Sequence, residues 1–115
     1  MRPVIKVKES QLQTSIEQVL RIYEKRKALI YIKNNSGATK VGDSFIRFGK
    51  AGSPDFLIFL SGGKTLHLEV KVGKNRQTAN QKAYEQQCQK LGHIYQVVKS
   101  IKEVTDLFVS QQAVT

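Results

Sequence analysis

Apolar residues along this chain change their spacing from helical to extended and back. Leu12, Ile16, Val19, Leu20 and Tyr23 recur at intervals of three and four, which predicts an amphipathic helix from Ser10 to about Lys25. Ser10 and Gln13 stand at the spacing of a capping box. A β-rich run follows from Ala28 to Lys33 and is broken by the turn residues Asn34-Asn35-Ser36-Gly37. Ser44 to Phe48 is a further candidate strand, entered through a Gly42-Asp43 turn. Asp55 to Leu60 is almost continuously apolar, which predicts a strand buried on both faces.

After a hairpin-type turn at Ser61-Gly62-Gly63-Lys64, Thr65 to Val72 alternates. Leu66, Leu68 and Val70 take one face; His67, Glu69 and Lys71 take the other. Thr78 to Leu91 reads as a helix with Tyr84, Cys88 and Leu91 on one stripe, and Gly92 ends it. His93 to Lys99 is a last strand and Ile101 to Phe108 a last helix. The order α, three or four strands, α, β, α predicts an α/β domain built on one mixed sheet.

The length of 115 residues suits one compact domain with a single core, spanning 1–115. Lys and Arg outnumber Asp and Glu by 19 to 9, a formal net charge of +10. Such an excess repels itself in the folded state, and its usual reason is a polyanionic partner, with nucleic acid ahead of an anionic membrane surface; the alternative is charge that serves only solubility. No apolar run reaches the ~18 residues of a bilayer span. The segment Met1 to Lys6 lacks a signal peptide's apolar centre. Cys88 is the only cysteine, which leaves no intrachain disulfide and no cysteine-rich zinc site. A cytoplasmic protein without membrane association is the expectation.

Two carboxylates and a lysine stand at the ends of the two strands flanking the Gly62-Gly63 turn. If those strands pair antiparallel, the start of one lies beside the end of the other, and Asp55 meets Glu69. Close carboxylates repel unless a cation lies between them. Mg²⁺ favours one or two carboxylates completed by water and substrate oxygens, and it supplies what phosphodiester hydrolysis needs. The carbonyl of Val70 is a further candidate ligand. Lys71, on the Glu69 face, is placed to hold the attacking water or to stabilise transition-state charge. An ordinary surface Glu-Lys pair is the alternative for Glu69-Val70-Lys71 taken alone.

Ser53-Pro54-Asp55 followed by Glu69-Val70-Lys71 resembles the PD-(D/E)XK nuclease superfamily. Glu9-Ser10-Gln11-Leu12-Gln13, Asn34-Asn35-Ser36-Gly37, Ile46-Arg47-Phe48-Gly49, Gly52-Ser53-Pro54-Asp55, Glu69-Val70-Lys71, Gln81 and Gly92 before Tyr95-Gln96-Val97-Val98 narrow the likeness. In that order and spacing, from about Glu9 to Leu107, they resemble the VRR-NUC family, in particular its short stand-alone phage and bacterial members. The Val-Arg-Arg triplet that names the family is absent.

The resemblance implies a restriction-endonuclease-like αβββαβ core, a mixed central sheet flanked by helices. It implies a DNA endonuclease dependent on Mg²⁺ or Mn²⁺, with Asp55 and Glu69 as metal ligands and Lys71 as the catalytic lysine. It also implies a homodimer that cuts branched DNA such as four-way junctions. A glutamate on the first helix usually completes the acidic set. Glu9 lies at the edge of the apolar stripe, whereas Glu17 falls roughly 120° from its centre and is expected to face solvent, so Glu9 is preferred. Gln81 matches a family glutamine, which implies an amide that orients a water or touches a phosphate; on sequence alone it reads as a solvated helix glutamine beside Gln86, Gln87 and Gln89.

Lys74, Arg76 and Lys82 follow the catalytic strand, the first two in a basic loop, Gly73 to Gln77, expected to be flexible. Arg47 and Lys50, with Lys40, add charge ahead of Pro54. Together they form the footprint of phosphate-backbone binding. Asn34 and Asn35 are expected to shape a turn, His67 to stand outside the first coordination sphere, His93 to be structural and Cys88 to fill the core. A non-catalytic DNA-binding module on a nuclease-like scaffold is the competing reading. A small RNA-binding protein is disfavoured by the lack of an RNA-recognition aromatic pattern.

Overall fold

A computed structural model describes residues 8–111, so the segment Met1 to Lys6 lies outside the described residues. Helix α1 (Glu9–Lys25) buries Leu12, Ile16 and Leu20, the stripe predicted from the three-and-four spacing. Its start differs in detail from the expected capping box. Gln11 Oε1 accepts the Lys8 N–H at 3.0 Å, which leaves Gln13 free for another partner.

Strands β1 (Leu29–Lys33), β4 (Phe56–Leu60), β5 (Thr65–Val70) and β6 (Ile94–Val98) form a mixed sheet in that spatial order. β4 pairs antiparallel with both β1 and β5, and β5 pairs parallel with β6. The parallel pairing requires a crossover, supplied by helix α2 (Ala79–Lys90). Helix α3 (Ile101–Ser110) follows β6 and packs against α1, where Tyr23 and Phe108 meet edge to face at 4.9 Å. The predicted α, β, β, β, α, β core is therefore α1-β1-β4-β5-α2-β6.

The single expected sheet is in fact two. β2 (Gly37–Val41) and β3 (Ser44–Phe48) form a separate antiparallel hairpin whose residues are all exposed. β2 escaped the sequence because Gly-Ala-Thr-Lys-Val carries neither a long apolar run nor an alternation that a core would impose.

Burial on both faces falls to β5 rather than β4. In β5 every residue after Thr65 is buried, whereas β4 alternates and Phe59 is 39% exposed. α1 and α3 cover one face of the sheet, but α2 lies over β5 and β6 on the other and leaves β4 partly bare. On α2, Cys88 is buried as expected, while Leu91 at its C-terminus is exposed. The tight Ser61–Gly63 turn uses Gly62 and Gly63 at φ 79° and 75°, values that a side chain disfavours.

Candidate metal and phosphodiester site

The antiparallel register of β4 and β5 aligns Phe56 with Leu68. One step beyond that rung, Asp55 and Glu69 meet at the same end of the sheet. Asp55 lies just before β4, and contacts centred on Asn34 hold it and the Ser53-Pro54 segment ahead of it. The Asn34 N–H donates to the Asp55 carbonyl at 2.8 Å. The Asn34 side-chain amide donates to Ser53 Oγ and to the Pro54 carbonyl, both at 2.8 Å. Ser53 Oγ in turn donates to the Lys50 carbonyl at 2.6 Å. The Asn34 turn thus holds the Ser-Pro-Asp segment.

The Asp55 carboxylate is held at both oxygens. Oδ2 accepts the Val70 N–H at 2.7 Å, and Oδ1 accepts Gln13 Nε2 at 3.1 Å. Glu69 Oε1 accepts Gln81 Nε2 at 3.1 Å and lies 3.8 Å from Lys71 Nζ. Glu69 Oε2 is buried and has no hydrogen-bond partner among the described residues. Lys71 is itself buried just past the end of β5, where its N–H donates to the Val98 carbonyl at 3.0 Å.

Burial lifts the Glu69 carboxyl to about 8, with the neighbouring Asp55 charge next in importance. Lys71 opposes the rise and Glu9 adds to it. Burial also raises Asp55, against the stabilising hydrogen bond from Val70. Both shifts express one fact: two carboxylates share a nearly dry site with less positive charge than they need.

Asp55, Glu69, Lys71 and Gln81 come together at one end of the sheet. Glu9 is half-buried at the start of α1, near enough for its charge to act on Glu69. Among the described residues, no cluster of three or more His, Cys, Asp or Glu side chains is arranged for a metal ion. Glu17 does not face free solvent. Its Oε2 accepts the Tyr31 hydroxyl at 2.9 Å and pairs with Arg21 at 3.5 Å, which commits it to the α1-facing side of β1. His67 points away from the carboxylates, to Tyr84 Oη at 2.9 Å and His93 Nδ1 at 2.8 Å.

Lys74, Arg76, Lys82, Arg47 and Lys50 are exposed. The loop bearing Lys74 and Arg76 is tied at both ends rather than free: Lys99 Nζ donates to the Gly73 carbonyl at 3.2 Å, and Gln77 Nε2 donates to Glu85 at 3.1 Å. A cleft of about 310 Å³ runs from Arg47 and Phe48 on the hairpin to Thr78 and Gln81 at the start of α2. Sequence reasoning missed Gln13 as a site residue. The signal was its position one helical turn after Glu9, on the same face of α1.

No protein-family model and no curated protein matches this chain. A solved structure described as a VRR_NUC domain does. It superposes with a TM-score of 0.52 at 23% sequence identity, covering 83% of this chain and 95% of that one. This chain has the fold of a VRR_NUC domain. No helix among the described residues is long and apolar enough to cross a membrane.

Proposed function

We propose that residues 1–115 form one nuclease domain, a Mg²⁺- or Mn²⁺-dependent endonuclease that hydrolyses DNA phosphodiester bonds. The observation that carries this reading is the pairing of two buried carboxylates: Glu69 Oε2 receives no hydrogen bond from any donor among the described residues, and without a cation it can only share a proton with Asp55. Burying such an atom is costly unless something fills its place, and a divalent cation is what this donor set fits. Asp55 accepts one hydrogen bond at each oxygen and retains lone pairs for a cation. Asp55, Glu69 and the Val70 carbonyl are the proposed ligands, with Glu9 acting from the edge of the site.

A divalent ion held there would supply Lewis-acid polarisation of the phosphate and a counter-charge for the two carboxylates. The protein's own groups do the rest. Gln13 and the Val70 N–H fix the Asp55 carboxylate, and Gln81 fixes Glu69. Lys71 presents its ammonium to the attacking water and to the charge that grows on the phosphate. Lys74, Arg76, Lys82, Arg47 and Lys50 grip the DNA backbone without reading bases.

Each site cuts one strand, so a homodimer with two-fold symmetry would cut two, as symmetrical resolution of a four-way junction requires. Branched DNA as substrate and a homodimer as the acting form are therefore part of the proposal.

The test is a panel of labelled single-stranded, duplex, flap and four-way-junction DNA with Mg²⁺ or Mn²⁺. Glu69→Gln and Lys71→Ala should each lower cleavage by roughly a hundredfold or more while DNA binding persists. Full activity in either variant overturns the assigned roles. Binding without cleavage of any substrate, unchanged by chelator, establishes the non-catalytic module instead.

A further inference from the structure

The β2–β3 hairpin stands outside the main sheet, and its two faces differ. In the antiparallel register Lys40 lies opposite Phe45, and Arg47 follows two residues later on the same face. This face therefore sets one aromatic ring beside two cations, Lys40 across the strands and Arg47 along its own strand. Phe45 is 73% exposed, more than any other large apolar side chain among the described residues. The core has no use for it. The hairpin's only acidic residue, Asp43, sits in the turn rather than on the strands.

An exposed ring with cations beside it is the arrangement that stacks on a nucleobase while the charges hold the adjoining phosphates. A fully paired duplex buries its base faces and offers nothing for the ring. An unpaired base, or the open stack at a branch point, does. The cleft lined by Arg47 and Phe48 reaches Gln81, whose amide contacts Glu69, so Arg47 stands at one end of a groove whose other end adjoins the carboxylate site.

We propose that the β2–β3 hairpin is a base-stacking arm, in which Phe45 packs on an unpaired DNA base and Lys40 and Arg47 hold its phosphates, making it the source of preference for branched over paired DNA. The assignment rests on DNA as the partner; it does not depend on cleavage.

The experiment measures binding of the full chain in chelator to a duplex and to the same duplex carrying a branch with unpaired bases. Phe45→Ala should weaken branched-DNA binding roughly tenfold and duplex binding less than twofold. The chain has no tryptophan, so Phe45→Trp introduces its sole indole. That variant should keep the preference, and its emission should be quenched by branched DNA and not by duplex.

Equal loss on both DNAs, no loss on either, or an unquenched indole overturns the proposal. A change in sedimentation mass for Phe45→Ala overturns it too, by making the ring a protein contact. Tighter binding of single-stranded RNA than of matched DNA overturns the choice of partner. If Mg²⁺ restores no cleavage but the stacking results hold, the nuclease reading fails and the arm stands.

Discussion

Gln13 and Asp55 are forty-two positions apart, yet the amide of the first donates to Oδ1 of the second at 3.1 Å. On the other helical side, Gln81 donates to Glu69 Oε1 at the same distance. Each carboxylate is thus aimed by a glutamine from a different helix. A neutral amide suits this task. A cation in its place would pair with the carboxylate and displace the metal proposed there, whereas an amide orients the group and leaves its charge uncompensated.

Gln13→Ala removes the contact without touching the core, since Leu12, Ile16 and Leu20 carry the packing of α1. Hydrogen bonds to charged groups are worth about 1.5–3 kcal/mol, so Mn²⁺ affinity should weaken by roughly tenfold or more. Thermal stability in chelator should fall as well, because the metal-free fold loses the same hydrogen bond. Isothermal titration with Mn²⁺ checks the first and a melting curve the second. Unchanged Mn²⁺ affinity would show that Val70 alone fixes Asp55.

Gly52 carries a steric prediction. A Cβ there would lie 2.3 Å from the Asn80 carbonyl oxygen and 2.5 Å from its carbon, and φ is +78°. Both the clash with backbone and the left-handed conformation oppose a side chain. Gly52→Ala should cost about 2 kcal/mol or more and separate the Ser-Pro-Asp loop from α2. The expected loss in Tm is roughly 10 °C, measured by differential scanning calorimetry. A melting temperature within a degree of the parent would contradict the close packing.

The basic loop makes a prediction about salt. Lys74 and Arg76 are exposed and lie close to the carboxylate end of β5. If both contact phosphates, replacing both with alanine should reduce the slope of log affinity against log salt by about 1.8. Binding should weaken about equally for all sequences, because such contacts carry no base information. Filter binding from low to moderate salt measures the slope. An unchanged slope would place the loop off the DNA path.

The fold was legible where burial leaves a period in the sequence. Leu12, Ile16 and Leu20 announce α1, and Leu66, Leu68 and Val70 against His67, Glu69 and Lys71 announce β5. Asp55 beside Glu69 followed from a tight turn and antiparallel pairing alone. Other features left no such trace. β2 was illegible because an exposed hairpin need not alternate. The bare face of β4 depended on where α2 came to rest, which is a tertiary matter. Gln13 and Asn34 read as a cap and a turn because local roles for these residues are common, and their long-range contacts exist only once the sheet has formed.

Glu69 gives a pH dependence whose sign can be worked out. In the unfolded chain its carboxyl ionises near the ordinary 4.5, and the fold raises it to about 8. The folded protein therefore binds more protons than the unfolded chain between those values, and stability falls as pH rises through that window. Below it the group is neutral in both states, and above it the full penalty is present. Asp55 and Glu9 face Glu69 with like charge, and Lys71 offsets part of their effect. Glu69→Gln keeps the shape and removes the ionisation, so in chelator it should be as stable as the parent near pH 4 and more stable at pH 8.5. Mn²⁺ favours the ionised pair and should stabilise the parent most at the alkaline end, while leaving Glu69→Gln nearly unmoved. Melting temperatures of both proteins across this range, with chelator and with Mn²⁺, give four curves. Parallel curves for parent and variant in chelator would mean that Glu69 ionises in the fold as it does in water, which would remove the electrostatic need for a cation at this site.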